Sequence, residues 1–186
     1  MNKFFSLMIG LLLLCSVSQA QYAGIELYPD ATMFAYAGNN LTDNLKVDLW
    51  ANSGAEVATT VGPVLGPFAL GVGFSMGVPE DEVDLIFYNA DLAFVFDIGP
   101  VHWQSYNLYQ LGQNDVDDFI LARQWLNLGG PFGVVGHNTR NGDEDWRLNW
   151  GLYYDFGAIG MTSANKFGVT KNLNGDGMWA VWVLEL

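Results

Sequence analysis

The sequence predicts an all-β protein, a closed antiparallel up-and-down β-barrel of about ten strands, on three observations. Large side chains alternate with small or polar ones over unusually long runs. Polar connectors recur between those runs. Of the 186 residues, 51% are hydrophobic and 15% aromatic, but only 15% are charged. An average soluble domain carries roughly 25% charged residues, and a disordered acidic chain is poor in aromatics. The chain therefore has a core to bury or a membrane to face. Its 7 Lys and Arg against 20 Asp and Glu exclude a general nucleic-acid binder, because neutralising phosphates needs clustered cations.

Residues 1–20 read as a cleavable secretory signal. Met1-Asn2-Lys3 is a short positive start, Phe4 to Val17 an apolar stretch, and Ser18-Gln19-Ala20 a small-x-small cleavage site. The apolar part is too short for a helical span, which needs about 20 residues. Cys15 follows Leu14, where a lipoprotein signal carries a small residue, so lipidation is not expected. Since Cys15 leaves with the signal, the mature chain has no thiol or disulfide. Residues 21–186 form one domain, with no linker and no repeat.

Along the mature chain, the first clear strand is Phe68 to Val78. Phe68, Leu70, Val72, Phe74, Met76 and Val78 alternate there with Ala69, Gly71, Gly73, Ser75 and Gly77. In the next, Ile86, Tyr88, Ala90, Leu92, Phe94, Phe96 and Ile98 oppose Asn89, Asp91 and Asp97, although Phe87, Ala93 and Val95 blur the contrast. From Trp146 to Ala158, Trp146, Leu148, Trp150, Leu152, Tyr154 and Phe156 oppose Arg147, Asn149, Gly151, Tyr153 and Asp155. Thirteen residues at a rise of roughly 3.3 Å span about 43 Å, and tilted near 45° they cross about 30 Å, the thickness of a bilayer core. Such strands predict a transmembrane barrel with its apolar face in lipid. The alternative is a soluble, lipocalin-like small-ligand binder, periplasmic or secreted, with the apolar face inward.

Connectors set the strand count. Longer polar ones lie at Gly38–Asn44, Pro79–Val83, Gly112–Asp118, Asn138–Asp145 and Thr170–Gly177, all expected at one end. Tighter ones near Asn52–Gly54, Gly99-Pro100, Gly129–Pro131 and Gly157 are expected at the other. Eight strands is the alternative, because Asn114–Leu128 also reads as a helix capped by Asn114, and Pro79–Phe94 invites the same reading.

In its signal, its two-faced strands and its loop asymmetry the chain resembles small bacterial outer-membrane β-barrel proteins over essentially the whole mature length. That resemblance implies an outer-membrane location, outer-membrane lipid as the surroundings, and a structural, adhesive or weakly pore-forming role. The chain ends Trp182-Val183-Leu184-Glu185-Leu186, where such barrels usually end on Phe or Trp. If the apolar face meets lipid, Asn89, Asp91, Asp97, Arg123, Arg147, Asn149 and Asp155 point into the lumen, together with Asn127. Buried charges must pair, so a largely plugged barrel with at most a narrow pore is expected.

Catalytic and metal signals are sparse, and no cofactor is called for. Gly73-Phe74-Ser75-Met76-Gly77 matches the G-x-S-x-G pattern of a hydrolase elbow, but Ser75 lies inside a strand, not on a strand-to-helix turn. The string His137-Asn138-Thr139 resembles the His-x-Ser core of outer-membrane lipid A deacylases. That resemblance implies an ester hydrolase in which His137 activates Thr139 with Glu144 as the orienting acid, the rival to a non-enzymatic barrel. Asn172, Asn174 and Asp176 follow the first half of a calcium loop, yet Val183 stands where the bidentate Glu belongs. An ordinary hairpin turn explains the same residues. The acidic clusters at Glu80–Glu82, Asp115–Asp118 and Asp143–Asp145 are candidates for divalent cations, or plain solvated loops.

Overall fold

A computed structural model describes residues 22–27, 33–54, 56–77, 84–159 and 164–185. The expected signal, residues 1–20, lies outside the described residues, as do Glu80–Glu82. Twelve strands follow in chain order: β1 (Tyr22–Leu27), β2 (Met33–Thr42), β3 (Leu45–Asn52), β4 (Val57–Leu65), β5 (Phe68–Gly77) and β6 (Asp84–Ile98) make the first half. The second half is β7 (Val101–Gly112), β8 (Phe119–Asn127), β9 (Phe132–Asn141), β10 (Arg147–Asp155), β11 (Ala164–Asn172) and β12 (Met178–Glu185). Each pairs antiparallel with its neighbours in sequence, and β1 pairs with β12 from Gly24↔Glu185 to Leu27↔Trp182, which closes the barrel.

The class is the expected one, but the strand count is twelve, not ten or eight. One connector missing from the expected set is the turn at Gly66-Pro67. No polar residue marks it, and Gly66 takes φ +62°, a left-handed conformation that costs other residues. The other falls between β1 and β2. Restoring both moves the turn expected within Gly38–Asn44 to the end that carries Gly66-Pro67, Gly99-Pro100 and residues 128–131, here the short-turn end. The Asn52–Gly54 turn moves to the opposite, long-loop end. From β6 onward each connector lies at its expected end.

Neither expected helix forms among the described residues. Phe119–Asn127 is strand, and Asn114 and Asp115 both have positive φ (54° and 66°), a turn rather than a cap. From Asp84 the second candidate is strand as well. The preference for β follows from alternation: a helix would scatter Phe119, Leu121, Arg123 and Trp125 round its surface, whereas a strand sets them on one face.

Parity holds along the regular ladders, with register shifts between Asn40 and Thr42 and between Ser75 and Met76. On β5, Phe68, Leu70, Val72, Phe74 and Met76 are all exposed on the outer wall, while Gly71, Ser75 and Gly77 are buried. On β10, Leu152 is 67% exposed outward and Tyr153 is buried inward. Near the short-turn end the outer wall carries an aromatic band. Phe68 meets Phe96 at 5.3 Å, Phe94 meets Trp103 at 5.0 Å, and Phe132, Tyr154 and Phe156 follow one another at 4.9 and 4.8 Å. Edge-on packing of this kind is favourable for rings at such spacings.

At the long-loop end, Asp118 pins the β7–β8 connection. The Tyr109 hydroxyl donates to Asp118 Oδ2 at 2.7 Å and the Gly112 N–H to Oδ1 at 2.9 Å. The Tyr109 bond, then the Gly112 bond, hold the Asp118 carboxyl below its ordinary pKa. A depressed folded pKa stabilises the loop above the ordinary carboxylate range, and that contribution is lost as pH falls through the folded value. Tyr109→Phe is therefore expected to raise the Asp118 pKa toward the ordinary value. Carboxyl-carbon NMR titration in detergent checks it, and an unmoved pKa contradicts it.

Candidate functional site

The lumen gathers the buried charged side chains, Glu26, Lys46, Asp48, Asp91, Arg123 and Lys166. β1 contributes Glu26, whose neighbour across the β1–β2 ladder is Phe34. β8 contributes Arg123, opposite Tyr106 on β7 and His137 on β9. Arg123 Nη1 donates to Glu26 Oε1 at 2.6 Å, and Glu26 is only 2% exposed. In the ring, β8 and β1 stand five places apart one way and seven the other, nearly opposite. The pair is a strut across the barrel. Arg123 also lies over the Phe34 ring at 5.5 Å, and Phe34 stacks on Trp50 at 5.2 Å.

Three further groups fill the remainder. Lys46 on β3 is paired with Asp48 on its own strand and with Asp91 on β6, the latter at 3.0 Å. Asp91 lies across Gly71, where a Cβ would come 1.8 Å from Asp91 Oδ1, so only glycine leaves room for the carboxylate. Lys166 on β11 reaches Glu185 on β12 at 2.6 Å and lies over Trp125 at 5.6 Å. Toward the long-loop end, Asn89 Nδ2 donates to Ser75 Oγ at 2.8 Å. Gln110 Nε2 contacts Asn89 Oδ1 at 3.2 Å and Glu56 Oε1 at 3.0 Å, while Asn52 Nδ2 donates to Glu56 Oε2 at 2.9 Å. Ser75 is thus a buried member of an amide network inside a strand, with the geometry of a lining residue rather than of a nucleophile elbow.

The strut divides the lumen unequally. On one side lies a cavity of about 680 Å³, lined by Tyr36, Lys46, Trp50, Tyr106 and Trp125 and reaching the Gly66-Pro67 turn. On the other, between Arg123, His137, Thr170 and Trp179, the space is about 10 Å³, room for at most one water.

Of the polar residues expected in the lumen, Asn89, Asp91, Arg123 and Asn149 are buried on the inner face. Asn149 Nδ2 donates to the His137 carbonyl at 3.0 Å. The other three share that face but stand toward its ends. Arg147 is exposed and paired with Glu144 at 3.2 Å, Asp97 is exposed and 2.7 Å from His102 Nδ1, and Asp155 accepts the Gly157 N–H at 2.8 Å. Asn127 Oδ1 accepts the Gly129 N–H at 2.9 Å, so it serves the β8–β9 turn.

His137 and Thr139 lie inside β9, not in the loop expected to begin at Asn138, because the ladder to β10 runs through Arg147↔Thr139. The His137 ring packs on Trp179 at 5.1 Å, while Glu144 sits exposed in the β9–β10 connection. Asn174 is a clasp between loops: its side-chain amide donates to the Trp146 carbonyl and its Oδ1 accepts the Leu148 N–H at 3.2 Å. Asn172 Oδ1 accepts the Asn174 N–H at 3.3 Å, and Asp176 lies exposed in the same connection. No three His, Cys, Asp or Glu side chains gather into a metal-holding group among the described residues.

Sequence reasoning missed Glu26, Lys46 and Glu185 as the partners of these charges. Period two on β1 and β3 was the available signal, but both strands are short or mixed.

Removing one member of a buried ion pair leaves the other uncompensated and costs about 3–5 kcal/mol. Glu26→Ala is expected to lose that amount, and Glu26→Met with Arg123→Met much less. Urea unfolding in detergent measures both, and equal losses would contradict the strut.

No protein-family model matches the chain, and no curated protein does. Among solved structures it is similar to one described as "KdgM porin in complex with disordered oligogalacturonate", with a TM-score of 0.47 and 9% sequence identity. The match covers 88% of this chain and 95% of that chain.

Proposed function

We propose that the protein is an outer-membrane β-barrel with a narrow, ion-paired lumen, structural at rest and weakly pore-forming. One observation carries this: the barrel is inside out relative to a soluble one. Large apolar side chains such as Val72 (64% exposed) and Leu152 cover the outer wall, while charged pairs occupy the interior. Soluble proteins do not leave continuous apolar walls of this extent in water. A lipocalin-like binder needs the opposite facing, with its apolar residues lining the cavity.

The same facing suits hydrocarbon. Closure leaves no strand edge unpaired, as a lipid environment requires, and the aromatic band at the short-turn end matches an interfacial girdle. The lumen sets the conduction. An open aqueous channel belongs to barrels of roughly 16 strands, and here twelve strands enclose a strut and side-chain packing. Three acids, Glu26, Asp48 and Asp91, face two cations, Arg123 and Lys46, so the constriction carries a formal excess of one negative charge and favours cations weakly.

The protein is expected to pellet with outer membranes and to show heat-modifiable mobility on gels; recovery as a soluble protein sinks the proposal. Leu152→Arg is expected to cost about 2–4 kcal/mol of folding stability in lipid, a loss that tolerance of arginine there would contradict. In planar bilayers, small conductance steps should grow several-fold when Arg123→Ala is combined with Glu26→Ala. Steps unchanged by that removal would show that the strut is not the constriction.

A further inference from the structure

The cavity beside the strut is a cup whose mouth lies at the short-turn end, where Asn40, Gly66 and Pro67 line it. Phe34, Trp50 and Tyr106 line its floor, and behind them Trp50 packs with Ala58, Leu108 and Leu121. Its volume of about 680 Å³ lies within the roughly 300–1,000 Å³ of small-molecule sites.

Two features of the wall select what the cup holds. The first is charge. Glu26, Asp48 and Glu185 line it against Arg123 and Lys46, an excess of one acid. Asp91 and Lys166, which pair with Lys46 and Glu185, leave that excess unchanged. A confined negative charge is costly unless a cation meets it. The second feature is apolar surface. Val64, Ala69 and Ala93 share one cross-strand row on β4, β5 and β6. Val95 continues that wall and is 44% exposed although it points into the lumen. These side chains offer a hydrated inorganic ion no oxygen, whereas an organic body covers them and gains by it.

We infer that the cup binds a monovalent organic cation, an amine with an apolar body, its ammonium hydrogen-bonding Glu185 and its body lying along the Val64 and Val95 wall. The inference deepens the cation preference given above and rests on that reading. Among the lining acids Glu185 is the open one: its side chain is 34% exposed, whereas Glu26 and Asp48 are buried. Lys166 donates to Glu185 Oε1 at 2.6 Å, and a carboxylate accepts several donors, so a second cation can share it. β12 and β6 stand six places apart in the ring of twelve, so Glu185 and the apolar wall face each other across the lumen. An amine with an apolar body has the same separation of charge from hydrocarbon. The Tyr36 and Tyr106 rings, which line the cup between them, favour a cation further.

Detergent-folded protein at neutral pH is titrated calorimetrically with phenethylamine, with its neutral counterpart phenethyl alcohol and with the anion phenylpropionate, each against a detergent blank. The amine should bind about 10-fold more tightly than the alcohol, the discrimination that one charge-assisted hydrogen bond supplies, and the anion most weakly. Glu185→Gln should bring amine and alcohol to equal affinity while keeping heat-modifiable mobility. If Glu185→Gln fails to fold, Ala93→Trp, which fills the cup from the opposite wall, should abolish binding of both instead. Equal binding of amine and alcohol by folded wild type overturns this inference alone. So does a preference that survives Glu185→Gln, amine binding unaltered by Ala93→Trp, or displacement of the amine by equimolar potassium ion, the mark of a small-ion site. Failure of wild type to fold in detergent overturns the membrane reading and this inference with it.

Discussion

The ladder between β1 and β12 is the constraint on which the remainder depends. Without it the sheet would present two unpaired edges, which neither water-facing proteins nor lipid-embedded ones leave bare over such lengths. With it, every strand has two neighbours, and the chain's period of two becomes a difference between inside and outside. Closure puts Glu26 of β1 in the lumen beside Val183 of β12, where it can meet Arg123 from nearly the opposite wall. Outer wall and ion-paired lumen are two consequences of that one geometric fact.

Inside, low charge and strict pairing go together. Charges in a confined lumen lose hydration, and each is held by a partner or an aromatic face: Arg123 by Glu26 and Phe34, Lys46 by Asp48 and Asp91, Lys166 by Glu185 and Trp125. The net excess of acid therefore sits largely outside the lumen, in connections such as 113–118 and 142–146. The cavity beside Trp50 and Tyr106 is the space left where twelve strands enclose more room than these side chains fill.

Much of the fold was legible because alternation is a local property. On β5 the large residues are all even-numbered, and all are exposed outward. Gly62-Pro63 and Gly66-Pro67 both carry the Gly-Pro signal read at Gly99-Pro100, but only the second is a turn, with Gly66 at φ +62° and Pro63 inside β4. Asn114 offered a helix cap in type, yet its left-handed φ makes a turn. The lumen was legible as a set of polar residues, Arg123 and Asp91 among them, but not as pairs. Glu26 and Arg123 are 97 residues apart, and only the ring order brings them together. The outward polar residues Ser105, Asn107, Gln124 and Asn138 lie on three different strands, and their common face follows from register, which composition does not reveal.

The direct test of the inside-out barrel is a spin-label scan of β10 in lipid vesicles, with single cysteines placed from Leu148 to Asp155 in a chain carrying Cys15→Ser. Collision with dissolved oxygen reports hydrocarbon, and collision with a water-soluble nickel chelate reports water. The account predicts a period of two, with Leu148, Trp150, Leu152 and Tyr154 accessible to oxygen and shielded from the chelate, and the odd-numbered positions out of phase. Even-numbered positions open to the chelate, or no alternation at all, would contradict it.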